Sequence, residues 1–270
     1  MKKLLKPSRK NANSKNKKMK KRYAIFLDID NTLMSGGKIP EINIEKIKKA
    51  RSNGSYVFIN TARSYAFIPE ILKENDLLDG YVAGIGTDLR LAGEQIFSCP
   101  LTRDELKFIG KLFDGDTREV SFEGEDEMIW INPEARRGQV RYLLSSPDEF
   151  DTVYKDFRIS KLYVRGQLTP EEREILGEDY ILYQHSDYAE FVKKGFGKAA
   201  GMKLMTEYLD IPIENCIAMG DSANDTDMLL AAGISVAMGN AIPEIKEICD
   251  YTSCNAEDGG VAEAIEKYVL

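Results

Sequence analysis

Three short, continuous apolar runs occupy residues 23–27, 56–59 and 81–85 of the chain. Runs of this length without polar alternation are typical of strands that are buried on both faces of a parallel sheet. Residues 44–53 carry apolar side chains at helical spacing, and a second predicted helix runs to about Asn75. This alternation of strand and helix predicts a doubly wound parallel sheet with right-handed crossovers.

The hydrophobic pattern changes over residues 87–186, where the apolar runs are shorter and alternate with polar residues. Segments such as 127–131 and 159–164 predict strands of a mixed or antiparallel sheet that has one solvated face. The first pattern then returns, with two predicted helices at 198–209 and 228–232 and three predicted strands at 215–219, 234–238 and 251–252. The sequence therefore predicts an α/β fold that is interrupted by an insertion.

We divide the chain into three parts on this basis. Residues 23–86 and 187–270 are predicted to form a Rossmann-like, doubly wound parallel-sheet core, and residues 87–186 an inserted α+β cap domain. Residues 1–22 hold 11 of the 37 lysine and arginine residues and no acidic residue. Their Lys/Asn/Ser composition and lack of apolar periodicity predict a disordered basic tail.

Charge and cysteine content argue against several classes of function. Beyond the tail, 26 basic residues face 44 acidic ones, so no nucleic acid is expected as the main ligand. The single histidine, His185, and four scattered cysteines argue against a zinc site and a Ser-His-Asp triad. No apolar run is long enough for a membrane span or a secretory signal, and a cytoplasmic protein without an obligate protein partner is expected.

Polar side chains follow the predicted core strands at the edge where an open parallel sheet binds its ligands. Asp28 and Asp30 come directly after the first strand, Thr61 after the second, and Asp221 after the strand at 215–219. Three further side chains are expected at the same edge: Lys198 at the start of a helix, Asn224 and Asp225. Carboxylates, a hydroxyl, an amide and a lysine thus converge on one place.

This set of side chains suits phosphoryl transfer. Two carboxylates as close as Asp28 and Asp30 repel each other unless a cation lies between them or one of them is protonated. A third acid such as Asp221 would complete a site for Mg²⁺. Asp28 can attack phosphorus to form an aspartyl-phosphate, while Asp30 protonates the leaving alcohol and later activates water. Lys198 would offset negative charge, and Thr61 would bind phosphate oxygens.

Four motifs resemble those of the haloacid dehalogenase (HAD) superfamily, in its Cof-type branch (subfamily IIB). Residues 28–33 resemble the family's DxDGT, residues 61–63 its TGR, and residues 220–225 its GDxxND, while Lys198 stands where the family's lysine opens a helix. The resemblance covers the core, about residues 23–86 and 187–270, and is only architectural across the cap.

The resemblance implies a role for each matching residue. Asp28 would be the nucleophile, Asp30 the general acid and base, and Lys198 the catalytic lysine. Phosphate would be bound by Thr61, Ala62, Asn224 and Lys198. The magnesium ion would be bound by Asp28, Asp221, Asp225 and the backbone carbonyl of Asp30.

Two positions depart from the family pattern, since Asn31 and Ala62 replace glycines beside phosphate-binding backbone.

We predict Mg²⁺-dependent hydrolysis of a small phosphate monoester, such as a sugar phosphate or similar metabolite. Phosphomutase or phosphotransferase activity on a sugar phosphate would use the same aspartyl-phosphate. A non-enzymatic protein that binds through its basic tail is a further alternative. In the cap, Trp130 is expected to be a core residue, and Arg136, Arg137 and Arg141 a solvated face.

Overall fold

A computed structural model describes residues 21–74, 76–132 and 141–270. The predicted disordered tail therefore lies outside the described residues except for Lys21 and Arg22, as do Arg136 and Arg137. The strands of the described residues are β1 (Ala24–Leu27), β2 (Tyr56–Asn60), β3 (Gly80–Ala83), β4 (Asp88–Leu91), β5 (Glu94–Ser98), β6 (Val120–Gly124), β7 (Met128–Ile131), β8 (Tyr142–Leu143), β9 (Ile159–Arg165), β10 (Tyr180–Gln184), β11 (Tyr188–Lys193), β12 (Cys216–Gly220), β13 (Ile234–Ala237) and β14 (Tyr251–Thr252).

The α-helices in these parts of the chain are α1 (Glu41–Ser52), α2 (Glu70–Lys73), α3 (Arg103–Leu112), α4 (Pro170–Gly177), α5 (Lys198–Leu209), α6 (Thr226–Ala231), α7 (Pro243–Ile248) and α8 (Gly260–Tyr268). The predicted helix ending near Asn75 is much shorter than expected, since only α2 and a 3₁₀ turn at Tyr65–Phe67 form there. Pro69 is the reason, because a residue before proline is driven to extended backbone, and Ile68 has ψ of 128°.

The first sheet has eight strands in the order β14-β13-β12-β1-β2-β3-β4-β5. Its strands from β14 to β3 pair in parallel, which confirms the predicted doubly wound core. In β1, Ile25 and Leu27 pack towards one face of the sheet, and Ala24 and Phe26 belong to the apolar cluster of the other face. Both faces are buried because helices cover them, α1 and α8 on one side and α5, α6 and α7 on the other.

The second sheet has six strands in the order β10-β11-β9-β6-β7-β8, and all its pairs are antiparallel except β7 with β8. One face is apolar and packs with α3 and α4 around Phe122, Leu162 and Phe191. This is the inserted α+β cap, and the one-sided burial agrees with the alternating pattern of its strands.

Sheet membership differs from the predicted domain limits at both crossings. The predicted limits place β4 and β5 in the cap, but these strands extend the first sheet as an antiparallel edge. The predicted limits place β11 in the core, but this strand pairs with β9 and β10 in the second sheet. The chain therefore passes between the sheets after Ser98 and after Lys193, rather than at residues 86–87 and 186–187. The alternation of polar and apolar residues in β4 and β5 does not distinguish them from cap strands, because an antiparallel edge strand of a parallel sheet shows the same pattern.

No helix within the described part of the chain is both long and apolar enough to cross a membrane.

Candidate active site

The carboxyl ends of β12, β1 and β2 lie side by side, because these three strands are neighbours and parallel. Asp28 follows β1 directly, Thr61 follows β2, and Asp221 follows β12. Lys198 is the first residue of α5, which packs against the same sheet. Sheet topology thus brings the predicted residues to one edge.

Lys198 lies at the centre of this edge, with only 1% of its surface exposed. Its Nζ donates to Asp28 Oδ1 at 2.7 Å, to Asp225 Oδ1 at 2.5 Å and to Asn224 Oδ1 at 3.3 Å. Burial alone would lower the pKa of Lys198, but Asp225 and Asp28 raise it above its usual range. The lysine is therefore a fixed positive charge that orients the Asp28 carboxylate.

Among the described residues, one cluster of acidic side chains is compact enough to bind a metal ion. It consists of Asp28, Asp221 and Asp225, whose ligand atoms lie within 4.8 Å of one another. Burial, together with the charge of Asp225, raises the pKa of Asp28 to about 7 although Lys198 opposes the change. Burial and Asp225 likewise raise the pKa of Asp221 to about 6. One lysine does not balance three buried carboxylates, so the donor set fits a hard divalent cation such as Mg²⁺.

The Asp225 carboxylate holds the loop that carries Asp221. Its Oδ2 accepts hydrogen bonds from the backbone N–H groups of Asp221 (3.0 Å) and Ser222 (3.1 Å). This folding-back requires Gly220, since a Cβ at that position would lie 2.5 Å from the Asp225 Cγ. Its other oxygen, Oδ1, accepts from Lys198 Nζ, so both oxygens of the Asp225 carboxylate are hydrogen-bonded to neighbouring groups.

Thr32 is a site residue for which the sequence alone predicts no role. It is completely buried, and its Oγ1 donates to Asp221 Oδ1 at 3.2 Å. Asn31, just before it, has φ of 58°, in the left-handed region where asparagine is tolerated far better than most residues. The Asn240 side chain donates to the Asn31 carbonyl at 2.9 Å. The glycine-like position in the motif is thus occupied by the side chain best suited to replace glycine there.

Asp30 does not belong to the carboxylate cluster and pairs with Arg63 instead. Its two oxygens accept hydrogen bonds from Arg63, at 2.8 Å from Nε and 2.9 Å from Nη2. The Asp30 side chain is 58% exposed and that of Arg63 38% exposed, so this pair borders the open cavity. The hydrogen bonds to Asp30 raise the pKa of Arg63, against the effect of burial. The sequence placed Arg63 in a motif but did not indicate this contact.

A cavity of about 400 Å³ joins these groups to the cap. From the core, its lining includes Asp28, Asp30, Thr61, Ala62 and Asn224. Thr61 is 2% exposed, and its Oγ1 accepts the backbone N–H of Arg63 at 3.2 Å. Every predicted site residue lines this cavity except Lys198 and Asp225, which lie behind it.

The cap supplies six further lining residues that the sequence did not single out as a site: Glu123, Trp130, Lys161, Tyr163, Tyr188 and Glu190. Trp130 is buried, as expected, yet it faces the cavity instead of the apolar cap core. The alternation in β9 is the sequence signal that could have identified two of them. Lys161 and Tyr163 share one face of this strand, opposite to Leu162, which packs in the apolar cap core.

Comparison with known proteins places this site in a family. A family model described as haloacid dehalogenase-like hydrolase matches residues 25–265. The 5-amino-6-(5-phospho-D-ribitylamino)uracil phosphatase YcsE of Bacillus subtilis (strain 168) is 29% identical over 250 residues, covering 91% of this chain and 95% of the relative. YitU, a phosphatase of the same name and organism, is 26% identical over 268 residues, covering 92% and 98%. The solved structure of the HAD subclass IIB sugar phosphatase BT4131 superposes with a TM-score of 0.78 at 25% identity, covering 91% of this chain and 98% of that one.

Proposed function

Because the chain belongs to the haloacid dehalogenase-like hydrolases, we propose that it hydrolyses a small phosphate monoester with Mg²⁺, through an aspartyl-phosphate on Asp28. The observation that carries the proposal is the buried contact of 2.7 Å between Lys198 Nζ and Asp28 Oδ1. It fixes one carboxylate oxygen and leaves the other to face the cavity that Asp28 lines. A carboxylate held in this way is oriented for attack on phosphorus.

In the first step, the unpaired oxygen of Asp28 attacks the phosphorus atom of the ester. The new O–P bond forms as the bond from phosphorus to the substrate's ester oxygen breaks, and the leaving alcohol takes a proton from the Asp30 carboxyl. The carboxyl of Asp30 must leave Arg63 to reach the ester oxygen, and the exposure of both side chains leaves room for that movement.

In the second step, water attacks the phosphorus atom of the aspartyl-phosphate. Asp30, now a carboxylate, accepts a proton from this water, and the O–P bond to Asp28 breaks. Inorganic phosphate leaves, and both carboxyl groups return to their starting protonation states. The net reaction consumes one water and produces one alcohol and one phosphate.

Asp28, Asp221 and the backbone carbonyl of Asp30 would hold Mg²⁺, with Asp225 orienting the Asp221 loop. The bound ion would neutralise charge on the phosphoryl group and on the carboxylates. Thr32 fixes the rotamer of Asp221 through its hydrogen bond of 3.2 Å. Asp28 and Asp221 belong to the cluster of buried carboxylates whose ligand atoms lie within 4.8 Å of one another, which supports their assignment as ligands.

Phosphate oxygens would be bound by Thr61, by backbone N–H groups beside Asn31 and Ala62, and by the Asn224 amide. Thr61 and Ala62 line the cavity next to Asp28. Asn224 Oδ1 accepts from Lys198 and from Ser222, an orientation in which the Asn224 N–H group donates to a phosphate oxygen.

The names of similar proteins support a metabolite as substrate. Two are phosphatases of a phosphorylated ribitylamino-uracil, and one structural neighbour is a sugar phosphatase. A cavity of about 400 Å³ has room for a small phosphorylated metabolite of this kind.

The proposal is tested with p-nitrophenyl phosphate and Mg²⁺. Asp28→Asn should reduce turnover by at least about a thousandfold, the scale of losing a covalent nucleophile, while Asp114→Asn, at an exposed cap position, should leave it unchanged. Full activity of Asp28→Asn would refute the assignment of the nucleophile. Absence of phosphate release by the wild-type protein would refute the function itself.

A further inference from the structure

The cap sheet presents two chemically different faces. One face is apolar and packs on α3 and α4, whereas the face towards the cavity carries Glu123 on β6, Lys161 on β9 and Glu190 on β11. Three ionisable side chains on adjacent strands of a sheet are ordinarily solvated, since burying a charge is costly. In this cap, by contrast, Glu123 is only 5% exposed, Lys161 3% and Glu190 6%.

Lys161 is shared between the two glutamates. Its Nζ donates to Glu123 Oε2 at 3.1 Å and forms an ion pair with Glu190 Oε1. Burial would lower the pKa of Lys161, but the two carboxylates raise it above its usual range. Ser121 Oγ also donates to Glu123 Oε1 at 3.1 Å. The Glu123–Lys161–Glu190 cluster therefore carries a net charge of one negative unit, and its single cation is already engaged.

Aromatic rings flank this cluster. The rings of Tyr163 and Tyr188 stack with centroids 5.3 Å apart at 27°, and both line the cavity together with Trp130. The same cavity reaches Asp28 in the core. A substrate whose phosphate group lies beside Asp28 therefore places its alcohol part against these carboxylates and aromatic faces.

We infer that the Glu123–Lys161–Glu190 cluster binds the alcohol part of the substrate, and that it selects a hydroxyl-rich, uncharged or cationic group such as a sugar over one that carries a second anion. This inference rests on the proposed phosphatase function. Carboxylates accept hydrogen bonds from hydroxyl groups, and aromatic faces pack on the C–H face of a sugar ring. A second phosphate or a carboxylate would instead meet two buried like charges, with no unpaired lysine in the cluster to offset them.

Three phosphate esters of similar size differ in the charge that they carry besides the phosphate. Glucose 6-phosphate has no second charge, glucosamine 6-phosphate has an ammonium group, and 6-phosphogluconate has a carboxylate. The first two should exceed 6-phosphogluconate in kcat/KM by about tenfold to a hundredfold, since like-charge juxtaposition in a partly buried site is costly. Glu190→Gln and Glu123→Gln each remove one negative charge and should narrow this ratio by about tenfold. Glu172→Gln is the matched control, because Glu172 is a buried cap glutamate paired with Arg118 outside the cavity, and it should leave the ratio unchanged.

Binding gives a readout that does not need turnover. Calorimetry on the Asp28→Asn variant should show weaker binding of 6-phosphogluconate than of glucose 6-phosphate, and adding Glu190→Gln should reduce the difference. Equal or tighter binding of 6-phosphogluconate, or an unchanged difference in folded Glu→Gln variants, would overturn the inference. If the wild-type protein fails to hydrolyse p-nitrophenyl phosphate, the phosphatase proposal fails, and the binding ratio still decides whether the cap selects against anions.

Discussion

Replacing Lys198 with methionine should destabilise the protein more than any exposed lysine replacement, and the loss should depend on pH. Methionine preserves most of the side-chain volume but leaves Asp28 and Asp225 without the cation that contacts them at 2.7 Å and 2.5 Å. Removing one partner of a buried ion pair typically costs about 3–5 kcal/mol. We expect a loss of this size in the free energy of unfolding at about pH 8 with metal chelated.

The sign of the pH effect follows from the raised carboxyl pKa values. Burial already holds the pKa of Asp28 at about 7 and that of Asp221 at about 6, with Lys198 present. A carboxyl whose pKa is higher in the folded state binds a proton on folding, so stability is lost as pH rises through that value. Without Lys198 the pKa of Asp28 rises further, and the deficit should shrink from about pH 8 towards about pH 5.5 as the carboxyl takes up its proton.

Urea unfolding in the presence of a chelator measures this loss of stability. An unchanged slope of the unfolding free energy against urea concentration would show that the variant still folds to the same compactness. Lys203→Met is the matched control, because Lys203 is an exposed residue of the same helix, and it should change the free energy by less than about 0.5 kcal/mol. A Lys198→Met variant within about 0.5 kcal/mol of the wild type at both pH values would refute the electrostatic account of the site.

Mg²⁺ at about a hundred times its dissociation constant should stabilise the fold by about 2.7 kcal/mol, or about 5–10 °C in the thermal midpoint; a shift that survives in Asp221→Asn would place the ion elsewhere. Because Asn31 has φ of 58°, Asn31→Ala should cost about 1–2 kcal/mol in denaturant unfolding and Asn31→Gly almost nothing; equal stabilities would show that backbone strain does not govern this position. Because the Arg63–Asp30 pair is partly exposed, Arg63→Ala should cost at most about 1 kcal/mol; a larger loss would mean that Arg63 supports the fold beyond this pair.

The core of the fold was predictable because its strands are buried on both faces. Continuous apolar runs such as that of β1 have few alternative interpretations, and α5 begins and ends where helical spacing predicts. Strands with one wet face were less certain, since β4 and β5 alternate like cap strands but complete the core sheet. Local polarity does not show which of two sheets a half-buried strand joins.

The core part of the site was predictable for a related reason. Parallel strands deliver their following residues to one edge, so Asp28, Thr61 and Asp221 were expected to converge. The cap side was not predictable, because Lys161 and Glu190 lie 29 residues apart and meet only when β9 pairs with β11. A charged residue in an alternating strand is ordinarily solvated, and only the tertiary structure shows that these are buried against a cavity.

The central claim is that Asp28 becomes phosphorylated during turnover, and phosphopeptide mapping of an acid-quenched reaction tests it most directly. The Asp30→Asn variant with p-nitrophenyl phosphate and Mg²⁺ suits this measurement, because nitrophenolate leaves without a general acid while the second step lacks its base. The account predicts that one phosphoryl group accumulates on the peptide containing Asp28, and that it is absent from Asp28→Asn. Phosphate release without any phosphorylated peptide in the quenched Asp30→Asn reaction, or a phosphoryl group on another residue, would contradict it.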